Sequence, residues 1–353
     1  MNTIPKFSIC IPNYNYGHLI GKTIQSVINQ SYQNFEIIVA DNCSTDNSVS
    51  IIKSFKDNRI KLIQNEINIG FTNNLQQVTK NACGDYINLL SSDDIMKPEA
   101  LQSYYKAITK IGHNSQNIVF MSDVCKINSR GEFQYAYKRD TNSFIKTIKY
   151  TNSELNRIDY DNFSIYDGDK ILKSTLSKLR NFASFLTVVY SKNLYDKVEG
   201  YNSNRLVGPD KHFNYKLLFQ GIKVCYIHAP LFEYRVHTTL NNISQNTNLK
   251  QQIDDYLYTI EYEEDLLERF NLKKDDLINT FINEVSLKKS LSALANGQWL
   301  FALRSTLFCL SAYPLKTAFN IRFLLLVFFI ILGPLSIILA KPLYRMYKFV
   351  QSD

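Results

Sequence analysis

The sequence predicts an α/β protein, built on a mainly parallel sheet with helices on both faces and extended by a helical C-terminal region. Three observations carry that expectation. Over the first 125 residues, short apolar runs alternate with amphipathic stretches, the strand–helix–strand rhythm of a parallel sheet. Turn- and cap-forming residues follow the apolar runs directly, as at Asp41-Asn42 and Ser92-Asp93-Asp94. From Leu249 to Asn296 the pattern is helical, with mixed charges and no proline.

Taken in order, Phe7–Ile11 is strand-length and rich in apolar residues, and Ile20, Ile24, Val27 and Ile28 follow at helical spacing. Phe35–Ala40 is the second strand. Ser44-Thr45-Asp46 then offers caps for a helix that turns Val49, Ile52 and Phe55 inward. Ile60–Ile63 and Tyr86–Leu90 are further strands, Pro98-Glu99 opens a helix, and Ile118–Met121 is a fifth strand. Residues 129–180 are polar and irregular and read as a long excursion over the active face. Ser184–Tyr190 resumes as a strand, His212–Phe219 as a helix, and Ile222–Ile227 and Leu231–Val236 as two more strands. Residues 1–240 thus form one α/β unit, 241–298 a helical extension and 299–353 a separate C-terminal region.

Composition narrows the class. Of 353 residues, 45% are apolar and 20% charged, enough for a sizeable core and too ordered for a disordered chain. The formal charge is +8, and the C-terminal region concentrates it: from residue 301 onward six basic residues face one acid. That region also holds FLLLVFFIILGPLSIILA, residues 323–340, eighteen positions without a charge between Arg322 and Lys341. As a helix the run is about 27 Å long, close to the roughly 30 Å of a bilayer core. Gly333-Pro334 at its centre permits a re-entrant hairpin as well as a span. A basic region flanking such a run points to membrane contact, with Trp299–Leu310 as an interfacial helix, and no stripe of charge suits a nucleic acid. Six scattered cysteines without a CxxC pair read as free thiols, and no secretory signal is apparent, so the expected location is the cytoplasmic face of a membrane.

In a sheet of this kind ligands sit at the carboxyl ends of the strands, so the loops after Ile11, Ala40 and Leu90 are where chemistry is expected. Asp41-Asn42 can serve a turn or can pair with a base or ribose. Ser92-Asp93-Asp94 can cap a helix. Adjacent carboxylates at an active edge also suit a divalent cation, which uses one or two carboxylates and completes its shell with phosphate and water. Asp210, after Gly208-Pro209, is either a helix cap or a general base. His237, two residues after Arg235, reads by itself as a packed or solvated histidine.

Together these segments resemble the inverting glycosyltransferase family 2, of the kind that builds bacterial polysaccharides; the resemblance implies its GT-A fold, a nucleotide-binding, Rossmann-like mixed sheet with helices on both faces. SICIPNYNYGHLIGKTIQSVINQSYQNFEIIVADNCSTDNS is similar to that family's first strand–helix–strand unit, NEINIGFTNNLQ to its Asn-x-Gly loop, and GDYINLLSSDDIMKP to its metal-motif strand. EGYNSNRLVGPDKHFNYKLLFQGIKVCYI resembles the segment that holds the base, and YRVH the closing strand. The resemblance covers about residues 5–240, with a nucleotide-sugar half to about 125 and an acceptor half beyond it. It implies that Pro12, Tyr14, Asp41, Asn42, Asn68, Ser92 and Asp93 bind the nucleotide, that Asp93 holds Mn²⁺ or Mg²⁺, and that Asp210 is the base. The chain departs from the family pattern in three places: Asn42 for the second Asp of a pair, Ser91 for the first Asp of the DxD motif, and Pro209 for the Glu beside the base.

The implied reaction is a single displacement that moves a sugar from a UDP- or dTDP-type donor to a hydroxyl of a glycan or lipid-linked acceptor, with inversion. A nucleotide-binding oxidoreductase is the first rival, weakened because Pro12-Asn13-Tyr14-Asn15 stands where G-x-G-x-x-G is needed. A catalytically inactive membrane scaffold or sugar-binding protein of the same fold is the second, kept open by Ser91 and Pro209.

Overall fold

The computed structural model describes residues 4–202, 208–237 and 249–332. The chain divides into two compact units, the first formed by Met1–Thr175 with Arg180–Thr238, the second by Leu176–Leu179 with Thr239–Asp353.

The first unit is a mixed sheet with the order β3-β2-β1-β4-β10-β6-β11-β5. Its opening half comprises β1 (Phe7–Asn13), α1 (Gly17–Ile28), β2 (Phe35–Asp41), α2 (Ser48–Ser54), β3 (Ile60–Gln64), α3 (Phe71–Lys80) and β4 (Tyr86–Leu89). β1 pairs in parallel with both β2 and β4, and is buried along almost its whole length because helices cover both faces. The chain order reverses between β1 and β4, which opens a crevice at their carboxyl ends. α1 is amphipathic: Ile20, Thr23, Ile24 and Val27 face the sheet. A Cβ at position 17 would lie 1.9 Å from Asn47 Oδ1 and 3.0 Å from the Ser48 backbone nitrogen, so any other residue there would have to displace the Asn47 side chain. That close approach lets the Gly17 amide donate to Asp46 Oδ2 and seats α1 on the loop after β2.

The rest of the unit adds β5 (Ile95–Met96), α4 (Ala100–Ile111), β6 (Ile118–Ile127), β7 (Phe133–Arg139), β8 (Thr147–Lys149), α5 (Asn152–Leu155), β9 (Phe163–Asp167), α6 (Gly168–Leu176), β10 (Val189–Ser191), α7 (Lys192–Lys197), α8 (Pro209–Leu218) and β11 (Lys223–Arg235). The sheet is mixed, as the resemblance implied, because β10 runs antiparallel to β4 and β6. The structure corrects the sequence reading in three places. Residues 129–180 are ordered into β7, β8, α5, β9 and α6; β7 alternates Phe133, Tyr135 and Tyr137 with Gln134, Ala136 and Lys138, a strand signal that the reading of the stretch as irregular passed over, and β8 is three exposed residues. Ser184–Tyr190 contributes only Val189 and Tyr190 to a strand. Ahead of them Phe185–Thr187 is a 3₁₀ turn, held by the Asn88 amide donating to the Leu186 and Val188 carbonyls. The two expected strands between Ile222 and Val236 are one strand of 13 residues. Pro230 does not end it, because a bulge there, opposite Asp123 of β6, absorbs the missing N–H.

The second unit is helical: Lys250–Glu261, Glu264–Glu268, Lys274–Thr280, a π-helical turn Phe281–Leu287, Lys288–Ala295, Trp299–Ala312, Pro314–Ala318 and Ile321–Ile331. Tyr258, Leu277, Phe281, Leu287, Leu294 and Cys309 are buried in it. Among the described residues no helix is long and apolar enough to cross a membrane. Residues 333–340 of the apolar run lie outside the described residues.

Candidate active site

The parallel register sets Asn13, the last residue of β1, beside Asp41, the last of β2. Asn13 Nδ2 donates to Asp41 Oδ1 at 2.8 Å, and Ser44 donates to the same carboxylate through Oγ (2.6 Å) and its backbone N–H (2.9 Å). Asp41 is 1% exposed, so three donors hold its charge at the floor of the crevice. Asn42 next to it is buried and fully engaged. Its Nδ2 donates to Asn68 Oδ1, while its Oδ1 accepts from the Ile69 N–H and Asn65 Nδ2. Asn68 also accepts from the Gly70 N–H, and Gly70 takes a φ of +81° that other residues avoid. Asn42 therefore pins the Asn68–Gly70 loop. Tyr14 stands exposed at the mouth, Pro12 is half-buried, and Ser92 Oγ donates to the Pro12 carbonyl at 2.8 Å, bridging the ends of β1 and β4.

Asp93 and Asp94 face opposite ways. Asp94 is 1% exposed; its Oδ1 accepts from the Arg235 N–H at 2.8 Å, and its Oδ2 has no hydrogen-bond partner among the described residues. Burial, with the Asp93 charge adding to it, pushes the Asp94 carboxyl up to about 8. The pair of exposed anions expected from the sequence is thus a single one, because Asp94 turns into the protein and favours its proton. Asp93 Oδ2 meets His237 Nε2 at 2.6 Å, across 144 residues of sequence. Arg235 sets this meeting: its Nε donates to the Asp93 carbonyl and its Nη1 reaches the carbonyls of Asn128 and Ser129. Tyr16 borders the pair, its ring 6.4 Å from the His237 ring, and burial together with the charges of Asp93 and Asp94 raises its phenol. His237 is the residue that local sequence reasoning passed over. The signal available was its place just past a strand that ends in Arg235.

Both Asp93 and His237 are partly open to solvent and both carry good donors for a divalent ion, so the pair fits such an ion. Among the described residues no cluster of three or more His, Cys, Asp or Glu surrounds that point. Two protein ligands with the remainder from diphosphate and water is the arrangement magnesium-type sites favour.

Asp210 lies in the first turn of α8, half-buried. Asn181 Nδ2 donates to its Oδ2 at 2.9 Å, and Asn214 Nδ2 in turn orients Asn181. Burial raises its proton affinity against the opposing pull of the Lys211 N–H and charge. Four residues after Asn181, the Phe185 ring stands 6.4 Å from the Phe71 ring, which follows the Gly70 turn directly. An aromatic pair thus joins the Asn42-pinned loop to the segment that orients Asp210.

Residues 8–171, from β1 into α6, match the family model described as Glycosyl transferase family 2. The chain carries a family 2 glycosyltransferase domain. The domain match ends before Asp210 and His237, whose assignment rests on geometry. The chain is 28% identical to glycosyltransferase GlyA of Streptococcus pneumoniae over 236 residues, 65% of this chain and 30% of that protein. It is 38% identical over 114 residues to WfgD of Escherichia coli, a UDP-Glc:alpha-D-GlcNAc-diphosphoundecaprenol beta-1,3-glucosyltransferase, covering 32% of this chain and 43% of that one. The chain thus spans less than half the length of these curated relatives. In fold it is similar to S. aureus TarS 1–349, with a TM-score of 0.57 at 16% identity, covering 97% of this chain and 91% of that one. The same protein in complex with UDP-GlcNAc gives 0.55 at 19% identity, covering 87% and 89%. The family 2 domain is thus a GT-A fold.

Proposed function

We propose that this glycosyltransferase moves a sugar, with inversion, from a UDP- or dTDP-type donor to a hydroxyl of a glycan or lipid-linked acceptor in cell-surface polysaccharide synthesis. The observation that carries the reading is the Asp93–His237 pair beside the polar floor built on Asp41. Pro12, Tyr14, Asp41 and Ser92 line or brace the nucleotide crevice, and Asn42 shapes it through Asn68. Asp93 and His237 hold the divalent cation, Mn²⁺ or Mg²⁺, which when bound supplies positive charge beside the departing diphosphate. Asp210 accepts the proton of the acceptor hydroxyl as that oxygen attacks the anomeric carbon from the face opposite the diphosphate. Its raised proton affinity makes it a better base, and the amide of Asn181 keeps one carboxylate oxygen fixed. The Phe71–Phe185 pair offers apolar ring faces to a sugar between the loop and the base.

The WfgD relative, whose printed substrate is a diphosphoundecaprenol-linked sugar, supports a lipid-linked acceptor, and the cytoplasmic face of a membrane is the location proposed with it. The test is a thermal-shift panel of nucleotide sugars with and without Mn²⁺, since bound donor stabilises by mass action. A UDP- or dTDP-sugar should raise the melting temperature, more so with Mn²⁺, and be hydrolysed slowly. Stabilisation by NAD(P) alone would overturn the reading, and donor binding without any hydrolysis would favour the inactive scaffold.

A further inference from the structure

We infer that the helix Ile321–Ile331 docks flat onto an anionic lipid surface through one apolar stripe, without crossing it. Ile321, Leu324, Leu325, Phe328 and Ile331 are 48–78% exposed, and their spacing of three, one, three and three residues sets them on one face of the helix. A helix on the surface of a water-soluble unit carries polar side chains there. The opposite side of the same helix is also apolar and is already used: Leu326 and Phe329 are buried in the helical unit. Just ahead, Leu315 (76%) and Phe319 (86%) extend the exposed apolar surface. The patch is thus broad, contiguous in sequence and unlike the scattered exposed side chains of an ordinary surface.

Anchoring argues for an in-plane position of the helix Ile321–Ile331. Its two ends are tied to the unit: Arg322 Nη1 reaches the Asn283 carbonyl (2.9 Å) and Glu284 Oε1 (3.1 Å), and Trp299 Nε1 donates to the Ile330 carbonyl at 3.2 Å. Trp299 is an aromatic anchor of the kind that sits at headgroup depth.

Charge and sequence continuity select lipid over a second copy of the chain. From residue 301 the sequence holds six basic residues and a single acid; Lys316 and Arg322 are paired with Asp275 and Glu284, and the uncharged run continues from the stripe through Ala340 to Lys341, Arg345 and Lys348. A two-fold interface would bring this same basic region against itself, whereas an anionic bilayer complements it and takes up an apolar stripe without needing a matching shape. The inference rests on the lipid-linked acceptor reading only for its purpose.

The test uses the full chain and vesicles of phosphatidylcholine with or without phosphatidylglycerol, free of donor and acceptor, so its failure leaves the catalytic reading standing. Wild-type protein should float with the phosphatidylglycerol vesicles. The triple variant L324Q/L325Q/F328Q, at exposed positions, should lose roughly tenfold or more of that binding. Its far-ultraviolet circular dichroism and donor hydrolysis should stay at wild-type values. Equal vesicle binding by the triple variant would overturn the inference, as would failure of the wild type to float. So would a wild-type dimer in light scattering that the triple variant dissolves into monomers without any vesicle affinity.

Discussion

The two units break the ordinary rule of burial in opposite directions. In the α/β unit, polar groups go inside: Asp41, Asn42, Asp94 and Asp123 are at most 3% exposed, each held by hydrogen bonds to named partners. In the helical unit, apolar groups go outside, with Phe319, Ile321 and Ile331 more than 70% exposed. Buried polar groups are costly unless paired, and exposed apolar stripes are unfavourable in water. Each inversion is sustained by something specific. For the first it is a network that fixes loop geometry; for the second it is the lipid surface inferred above.

The sharpest way to break this contrast is at the base. Asp210→Asn should lower turnover by at least about 10²-fold while leaving donor affinity near wild type, measured as kcat against donor KM. If donor binding falls in parallel, Asp210 serves as a helix cap and the buried polar group is structural. Next is Asp93→Asn, for which a loss of about 10² in kcat/KM is expected together with the response to Mn²⁺. Activity near wild type throughout a Mn²⁺ titration would sink the cation assignment.

A smaller effect is expected at Asn42→Ala, which strands the Ile69 N–H and releases the Asn68 side chain. Urea denaturation should show a loss of about 1–3 kcal/mol, and donor KM should rise with kcat little changed. An unchanged KM would mean that the loop keeps its shape without Asn42.

The subtlest test concerns pH. Asp123 accepts from Tyr150 and Tyr226, yet burial pushes its carboxyl up to about 6. Its folded value exceeds the unfolded one, so its contribution to stability is full below the unfolded value and fades as pH rises through about 6. Roughly 2–3 kcal/mol is involved. His212, pushed down to about 4 by burial, slopes the other way, losing stability as pH falls below its unfolded value. Asp123→Asn removes the first slope and leaves the opposed slopes of Asp94 and His212 in place, so wild type should gain stability relative to the variant as pH falls from about 7 to 4 in a urea series. Matching curves for the two proteins would remove Asp123 from the account.

Much of the crevice at the ends of β1 and β2 was legible in the sequence because it is local. Phe7–Ile11 and Phe35–Ala40 are strands whose next residues are the crevice floor, and parallel sheets place ligands there. What escaped is non-local. The pairing of His237 with Asp93 depends on β11 lying beside β6 and on Arg235 reaching back to Asp93 and Asp94. The burial of Asp94 depends on the same strand, so local chemistry suggested two exposed anions where there is one. Asn181, which orients Asp210, stands between the buried Leu179 and Phe182, just past the segment read as irregular, and belongs to no motif that would mark it. The outward stripe of Ile321–Ile331 was readable only as hydrophobicity, since a continuous apolar run does not say which face is covered.

The arm that carries His237 has a consequence for the chain during its synthesis. The loops around Asp41 and Asn68 emerge first, while the imidazole follows Asp93 by 144 residues. It reaches its partner only once β11 has paired along β6, a long-range closure that forms slowly. On the proposed function, a nascent chain would form the Asp41 and Asn68 loops before the Asp93–His237 pair is complete, and so would bind a donor before it could split one. Ribosome-stalled chains of increasing length would reveal this as donor binding that precedes donor hydrolysis, with hydrolysis appearing only after residue 237 has left the exit tunnel.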